Sequence, residues 1–193
     1  MSVFPKPYAD RVARLRVTCG FVMVAAFAWL SYPTKFSLEL GLPVSVLGLA
    51  LRAWATGHLE KNQRLTESGP YAHVRNPLYL GTALAAAGLA TASRSWLLAV
   101  LFTTFFLLIY LPVIELEEQH LSKLFPEFSA YATRVPQLIP TLRGVRSAAQ
   151  FRTSLYIKNR EYQAALGFLA GVALLIAKLL VPNIPGIHGF LNP

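Results

Sequence analysis

The sequence has little cysteine, few acidic side chains and no histidine spacing typical of a metal site. Cys19 is the single cysteine in 193 residues, which excludes an internal disulfide framework and a thiolate metal cluster. Only nine residues are Asp or Glu, against eighteen Lys and Arg. The four histidines have no HExxH or similar arrangement. We therefore expect neither a small disulfide-stabilised fold nor a metal centre.

Apolar residues are abundant instead and make up 54% of the chain. That content is too high for an ordinary soluble domain of this size. A helix needs about 20 mostly apolar residues to cross a bilayer. Five windows come close, the third being short: 17–32, 40–58, 78–92, 95–114 and 162–181. The sequence predicts a single all-α membrane domain over residues 1–193, a polytopic bundle of about five transmembrane helices.

Basic residues collect on one side of these windows. Four precede the first window, three follow the second and seven lie between the fourth and fifth, together fourteen of eighteen. Because Lys and Arg accumulate in cytoplasmic loops, we predict a cytoplasmic N-terminus and an external tail over 182–193. The basic flank and Ala26-Phe27-Ala28 are also typical of a cleaved signal peptide, but the later spans already explain membrane targeting. Anionic lipid accounts for the net charge of +9, so no nucleic-acid partner is expected.

Polar and turn-forming residues concentrate in two connections on the predicted cytoplasmic side, where function is expected. The first connection ends at Asn76-Pro77. A residue before proline avoids helical geometry and proline suits a first helical turn, so a helix should begin at Pro77. The N–H groups of Leu78, Tyr79 and Leu80 would then lack acceptors within the helix. Such a helix start can hold an anionic or polar ligand group.

The second connection carries acidic residues over 115–118. Gly81 and Gly88, with several alanines between them, allow a neighbouring helix to approach the third span closely. We expect the third and fourth spans to form a tight helical hairpin. That hairpin would return the chain to its starting side, placing the acidic cluster beside the corner formed by residues 75–77.

The ordered motifs of this region resemble a known superfamily. They are Gly69-Pro70-Tyr71, Arg75-Asn76-Pro77-Leu78-Tyr79 with Gly81, Glu117-Glu118 with Leu121 and Phe125, and Tyr131-Ala132-Thr133-Arg134-Val135-Pro136 with Pro140. In combination, over about 45–141, they resemble the isoprenylcysteine carboxyl methyltransferase and phospholipid methyltransferase superfamily. The resemblance implies an integral membrane enzyme that binds S-adenosylmethionine in a pocket facing the cytoplasm.

The resemblance also implies roles for individual residues. Those carried over to the cofactor pocket are Leu65, Thr66, Tyr71, Asn76, Pro77, Leu78, Tyr79 and Glu118. Glu118 would face the amino group of the methionine moiety. Members similar to the prenylcysteine enzymes usually have His where this chain has Asn76, and several phospholipid N-methyltransferases have Asn. The basic residue that usually precedes the paired glutamates is absent from 110–114.

The methyl acceptor stays open at this point. A carboxylate is already ionised at neutral pH, whereas an amine must lose a proton, and Glu117, His58 or His120 can serve as the base. We take Glu117 and Arg75 as the catalytic candidates. Arg52, a charge inside the second span, and Arg134 are candidates for holding an anionic acceptor or lipid phosphate, although pairing or lipid anchoring also explains them.

The sequence leaves two alternative functions open, and it also gives expectations for the segments after residue 141. The chain can instead be an NADPH-dependent reductase of the sterol type, which is normally longer, or a non-catalytic membrane protein. Residues 142–161 resemble a basic stretch lying on the inner leaflet, and 162–181 form a C-terminal span. Gly167 and Gly171 in that span predict helix packing, within the protomer or in a homodimer. The expected partners are the bilayer and a lipid or lipid-like acceptor.

Overall fold

The computed structural model describes residues 4–141 and 150–181, and its regular structure in these ranges is helical, without a strand. The predicted all-α membrane bundle is confirmed. The helices are α1 (Lys6–Leu30), α2 (Lys35–Thr56), α3 (Pro77–Ser93), α4 (Trp96–Phe105), α5 (Leu111–Leu124), α6 (Phe128–Arg134), α7 (Thr153–Lys158) and α8 (Tyr162–Leu180). A 3-10 turn, Gly69–Ala72, precedes α3, and a π-helical turn, Phe106–Tyr110, joins α4 to α5. The predicted tail over 182–193, and residues 142–149 of the predicted interfacial stretch, lie outside the described residues.

Three helical stretches are long and apolar enough to cross a membrane: α2, the rod Trp96–Leu124 that runs from α4 through the π turn to α5, and α8. Helix α1 is bent by 52° between Pro7–Leu15 and Val17–Leu30, and these two pieces counted as one span give a fourth. With 17 residues, α3 is about 26 Å long at 1.5 Å per residue, shorter than the hydrocarbon layer. The count of five spans therefore stays a prediction.

Helix α3 packs closely against another helix. Its small residues face α2: a Cβ on Gly48 would lie 2.5 Å from the carbonyl oxygen of Gly81, and one on Gly41 would lie 2.4 Å from that of Gly88. The hydroxyl of Ser45 donates to the carbonyl of Ala85 at 2.9 Å across the same contact. The close helix approach that the small residues predict therefore occurs, and the partner is α2, which carries the matching stripe of small residues.

The π turn follows from a proline one turn further on. Pro112 has no N–H, so the carbonyl of Leu108 loses its usual helical donor four residues later. The hydroxyl of Tyr8, in α1, donates to this carbonyl at 2.8 Å. The first helix thus contacts the α4–α5 rod at the level where the helix widens, and Tyr110 lies in that turn.

The apolar core joins most of the helices away from the polar connections. Its buried residues are Phe27, Leu38, Ala92, Leu98 and Leu175, which come from α1, α2, α3, α4 and α8. In α8, a Cβ on Gly171 would contact the ring of Phe27 at 3.8 Å, so this glycine packs within the protomer. A Cβ on Gly167 would have no neighbour within 4 Å.

Candidate active site

A cavity of about 590 Å³ lies where the start of α3, one face of α5 and the connection after α2 meet. Its volume is within the range of about 300–1,000 Å³ that is usual for small-molecule sites. The predicted site residues that line it are Arg52, Leu65, Thr66, Tyr71, Arg75, Asn76, Pro77, Leu78, Tyr79, Glu117 and Glu118. Arg134 lies outside the lining, where it is exposed and pairs with Glu67 at 3.0 Å. The predicted convergence of the acidic cluster with the Asn-Pro corner therefore occurs.

The helix start at the cavity forms as the sequence predicts, with one correction. Asn76 is the N-cap of α3 and Pro77 is its first residue. The N–H group of Leu80 donates to the carbonyl of Asn76 at 3.1 Å. The prediction that Leu80 offers its N–H to a ligand is wrong, because the cap carbonyl accepts the first intrahelical hydrogen bond. Leu78, in the first turn, lines the cavity.

Arg75, Asn76 and Glu118 form one hydrogen-bonded group on the cavity wall. Arg75 donates to the two carboxylate oxygens of Glu118 through Nε and Nη2, both at 2.9 Å. Asn76 adds a third donor to Glu118 through Nδ2 at 2.7 Å. A carboxylate offers about four acceptor positions, so one remains for a ligand. Arg75 also donates through Nη1 to the carbonyls of Ala132 and Val135, both at 2.8 Å, which ties α6 to the group.

Residues 136–141 hold this corner in place through backbone hydrogen bonds. The N–H groups of Arg75 and Asn76 donate to the carbonyls of Pro136 and Gln137 at 2.9 and 3.2 Å. The N–H of Thr141 donates to the carbonyl of His73 at 2.9 Å, and Nδ1 of the same histidine contacts the carbonyl of Thr141. The sequence signalled this segment only through the prolines of the family motif, not through a pairing pattern.

The 3-10 turn presents Tyr71 to the cavity. Gly69 has φ of +58°, a backbone conformation that favours glycine. A Cβ at this position would also lie 2.8 Å from the ring of His58, so both the backbone and the available space favour glycine. Tyr71 is 7% exposed, and its backbone carbonyl accepts from the hydroxyl of Tyr131 at 2.8 Å. The side chain of Tyr71 lines the cavity. Burial, reinforced by the nearby Glu117 carboxylate, raises the pKa of Tyr71 well above its usual value, so the phenol is neutral.

Glu117 lies among aromatic rings. The hydroxyl of Tyr79 donates to its Oε2 at 3.0 Å, and the ring of Tyr79 meets that of Tyr110 edge-on, with centroids 5.6 Å apart. None of the ion pairs among the described residues includes Glu117. Tyr110 was not predicted as a site residue, since only the π turn, which the sequence does not show, aims it here. Of the other proposed bases, His120 lines the cavity and His58 does not.

Arg52 pairs with a residue that the sequence analysis missed. Its Nε and Nη2 donate to the two carboxylate oxygens of Glu161, at 2.6 and 3.0 Å. The third nitrogen, Nη1, donates to the hydroxyl of Thr82 and the carbonyl of Leu78 on α3. Glu161 lies 109 residues away in a stretch predicted to be interfacial, and no local signal indicates the pairing.

A second, apolar cavity of about 740 Å³ runs along α3 and α4 and includes Gly20 and Met23 of α1. The two cavities share Thr82 and Tyr110 in their linings. Residues 4–141 and 150–181 contain no group of three His, Cys, Asp or Glu side chains placed to hold a metal ion. The polar site therefore adjoins an apolar one at the level of the π turn.

Comparisons with known proteins find a family model and named relatives that are similar to this chain. The model of a phospholipid methyltransferase family matches residues 36–127. The cobalt-zinc-cadmium resistance protein CzcN of Cupriavidus metallidurans is 30% identical over 166 residues, which cover 82% of this chain and 77% of that protein. The nickel-cobalt-cadmium resistance protein NccN of Alcaligenes xylosoxydans xylosoxydans is 29% identical over 169 residues, covering 82% and 78%. No solved structure matches the chain significantly.

The family match covers α2, α3, the α4–α5 rod and the connection that contains the 3-10 turn. These elements line most of the polar cavity, and they carry the motifs with which the sequence resembles the methyltransferases, except the last one, at 131–140. The chain belongs to the phospholipid methyltransferase family of membrane proteins, within the isoprenylcysteine carboxyl methyltransferase-like superfamily.

Proposed function

We propose that the protein is an integral membrane methyltransferase that uses S-adenosylmethionine to methylate a lipid-like or small apolar acceptor. The observation that carries this proposal is the polar cavity of about 590 Å³, in which the predicted site residues other than Arg134 come together. When bound, S-adenosylmethionine supplies a methyl group whose bond to the positively charged sulfur breaks, the electron pair staying on sulfur, as the acceptor atom forms the new bond to carbon.

The residues of the cavity fit this cofactor. Glu118 keeps one acceptor position for the ammonium group, and the first turn of α3, at Leu78, suits the carboxylate. Tyr71 lines the cavity, where its hydroxyl can hydrogen-bond to the ligand. Leu65 and Thr66 line the same wall.

We assign different roles to the two residues predicted as catalytic. Glu117 has no cationic partner within the described ion pairs and lies beside Tyr79 and Tyr110, so its carboxylate can take the proton that an amine or thiol acceptor loses. Arg75 directs four N–H groups to protein acceptors. Arg75 therefore acts by fixing Glu118 rather than by touching the reacting atoms.

The acceptor reaches the site through the apolar cavity along α3 and α4. That cavity meets the polar one at Thr82 and Tyr110, so an apolar chain lying in it presents its polar end near Glu117. Arg52 lines the polar cavity at this junction, whereas Arg134 is exposed and suits lipid headgroups better. The acceptor atom is oxygen, nitrogen or sulfur, and the basic residues of the adjoining loops support a site that faces the cytoplasm.

Calorimetric titration of the detergent-purified protein with S-adenosylhomocysteine tests the proposal, with a nicotinamide dinucleotide as the parallel ligand. We expect saturable binding of the first alone. Replacing Glu118 with Gln removes the charge that faces the ammonium group, and we expect affinity to fall roughly tenfold or more, as for a charged hydrogen bond. Glu127→Gln, at an exposed position, is the matched control. Unchanged affinity in Glu118→Gln would contradict the site.

A further inference from the structure

Glu161 lies after the region that the family model matches, and it is linked to the polar cavity through the side chain of Arg52. It is 9% exposed and forms a two-point ion pair with Arg52, at 2.6 and 3.0 Å. Two-point pairs of this kind fix orientation as well as charge. The pair joins the segment before α8 to the last turns of α2, where Arg52 lies.

Arg52 links Glu161 to the wall of the cavity. Its Nη1 donates to the hydroxyl of Thr82 and to the carbonyl of Leu78, both in the first turns of α3. Its Cγ lies against Gly81, where a Cβ would come within 2.6 Å. Arg52 and Tyr71 both line the polar cavity, so the charge of this pair lies at the wall.

The segment that bears Glu161 is fastened to the end of α2 at several other points. Asn159 donates through Nδ2 to the carbonyl of Leu59 at 3.0 Å, and the N–H of Arg152 donates to the carbonyl of Gly57 at 2.9 Å. The guanidinium of Arg152 also pairs with Glu60, which lines the cavity. These anchors hold the segment in place independently of the Arg52 pair.

A cavity for a sulfonium compound needs this arrangement for an electrostatic reason. An uncompensated guanidinium at the wall would repel the positive sulfur of S-adenosylmethionine, and the repulsion is larger in a partly buried site than in water. We infer that Glu161 is a positioning residue for methyl transfer: it holds Arg52 on the start of α3 and cancels its charge beside the cofactor. This inference rests on the proposed function and adds a residue outside the family match.

The test compares two ligands that differ in the sulfonium charge. S-adenosylmethionine carries that charge and S-adenosylhomocysteine does not. In Glu161→Gln, Arg52 loses its counter-charge, and we expect the affinity for S-adenosylmethionine to fall roughly tenfold more than that for S-adenosylhomocysteine, the size of one uncompensated charge about 10 Å away at an effective dielectric constant of about 20. Glu67→Gln, which breaks the exposed pair with Arg134, is the control and should leave the ratio unchanged.

Two further variants separate charge from structural damage. Arg52→Gln leaves Glu161 uncompensated, so the affinity ratio should shift the opposite way, toward S-adenosylmethionine. The double variant Arg52→Gln, Glu161→Gln removes both charges and should restore the ratio of the unmodified protein. An equal loss for both ligands in Glu161→Gln, or no opposite shift in Arg52→Gln, would overturn the inference while leaving the proposed function intact. If the unmodified protein binds neither ligand, the proposed function fails and the inference with it.

Discussion

Arg75 forms a two-point ion pair with Glu118, with Nε and Nη2 each 2.9 Å from a different carboxylate oxygen. The side chains are 14% and 15% exposed, so the pair is largely shielded from water. A second arginine pair, Arg134 with Glu67, has its side chains 54% and 39% exposed. The two pairs therefore differ in burial, since the first lies at the cavity and the second at the surface.

Arg75→Lys tests this difference. Lysine keeps the charge but cannot form the two-point contact or reach the carbonyls of Ala132 and Val135 together. We expect the free energy of unfolding to fall by about 2–3 kcal/mol, the usual value for lost hydrogen bonds to a charged group. Chemical denaturation in detergent measures it. Arg134→Lys should change the free energy by less than about 0.5 kcal/mol, since exposed pairs contribute little.

The site could be predicted where local rules suffice. Asn76-Pro77 identifies the start of α3 from the geometry of proline alone, and the family motifs bring Glu117 and Glu118 to it. Glu161 could not be found this way, because its pairing with Arg52 joins residues 109 positions apart and depends on how α8 returns to α2. Long-range ion pairs leave no periodic signal in a sequence.

The packing of α3 shows the same limit. Gly81 and Gly88 correctly indicate a close helix contact, but they do not show which helix is the partner. The choice of α2 follows from a second stripe, at Gly41 and Gly48, which is complementary to the first. Tyr110 was not predicted as a site residue, because the orientation of its side chain depends on the π turn. That turn is followed by a proline in the next helix.

Glu117→Gln tests the proposed base. With an amine or thiol acceptor, we expect turnover to fall roughly 100-fold or more, the usual contribution of a general base, while affinity for S-adenosylhomocysteine changes little. Transfer of a labelled methyl group from S-adenosylmethionine measures turnover. Tyr79→Phe removes the hydroxyl that orients Glu117 and should produce a smaller loss in the same direction. Full turnover in Glu117→Gln with an amine or thiol acceptor would exclude Glu117 as the base.

Gly88→Ala tests the contact between α2 and α3. The added Cβ would lie 2.3 Å from the hydroxyl oxygen of Ser45 and 2.4 Å from its backbone nitrogen, so the helices must move apart. We expect a loss of about 1–3 kcal/mol, as for other overpacked sites, with a lower midpoint of thermal unfolding. Gly167→Ala adds the same methyl group to α8, where it would have no neighbour within 4 Å. That control should be neutral or slightly stabilising, because alanine favours helix.

Tyr71→Phe tests how burial of the phenol affects stability at high pH. The pKa of Tyr71 is raised in the folded protein by burial first and by Glu117 second. In the unfolded chain the phenol ionises near its ordinary pKa of about 10, so above that pH the unfolded state binds fewer protons than the folded state. Stability from this group is therefore fully present below about pH 10 and falls as the pH rises further. Replacing Tyr71 with Phe removes the ionising group and keeps the buried ring. We expect the unmodified protein to lose unfolding free energy more steeply than the variant between pH 9 and pH 11, measured by chemical denaturation at each pH with Tyr156→Phe as the control. Parallel curves for the unmodified protein and Tyr71→Phe would contradict a buried, neutral phenol at the cavity.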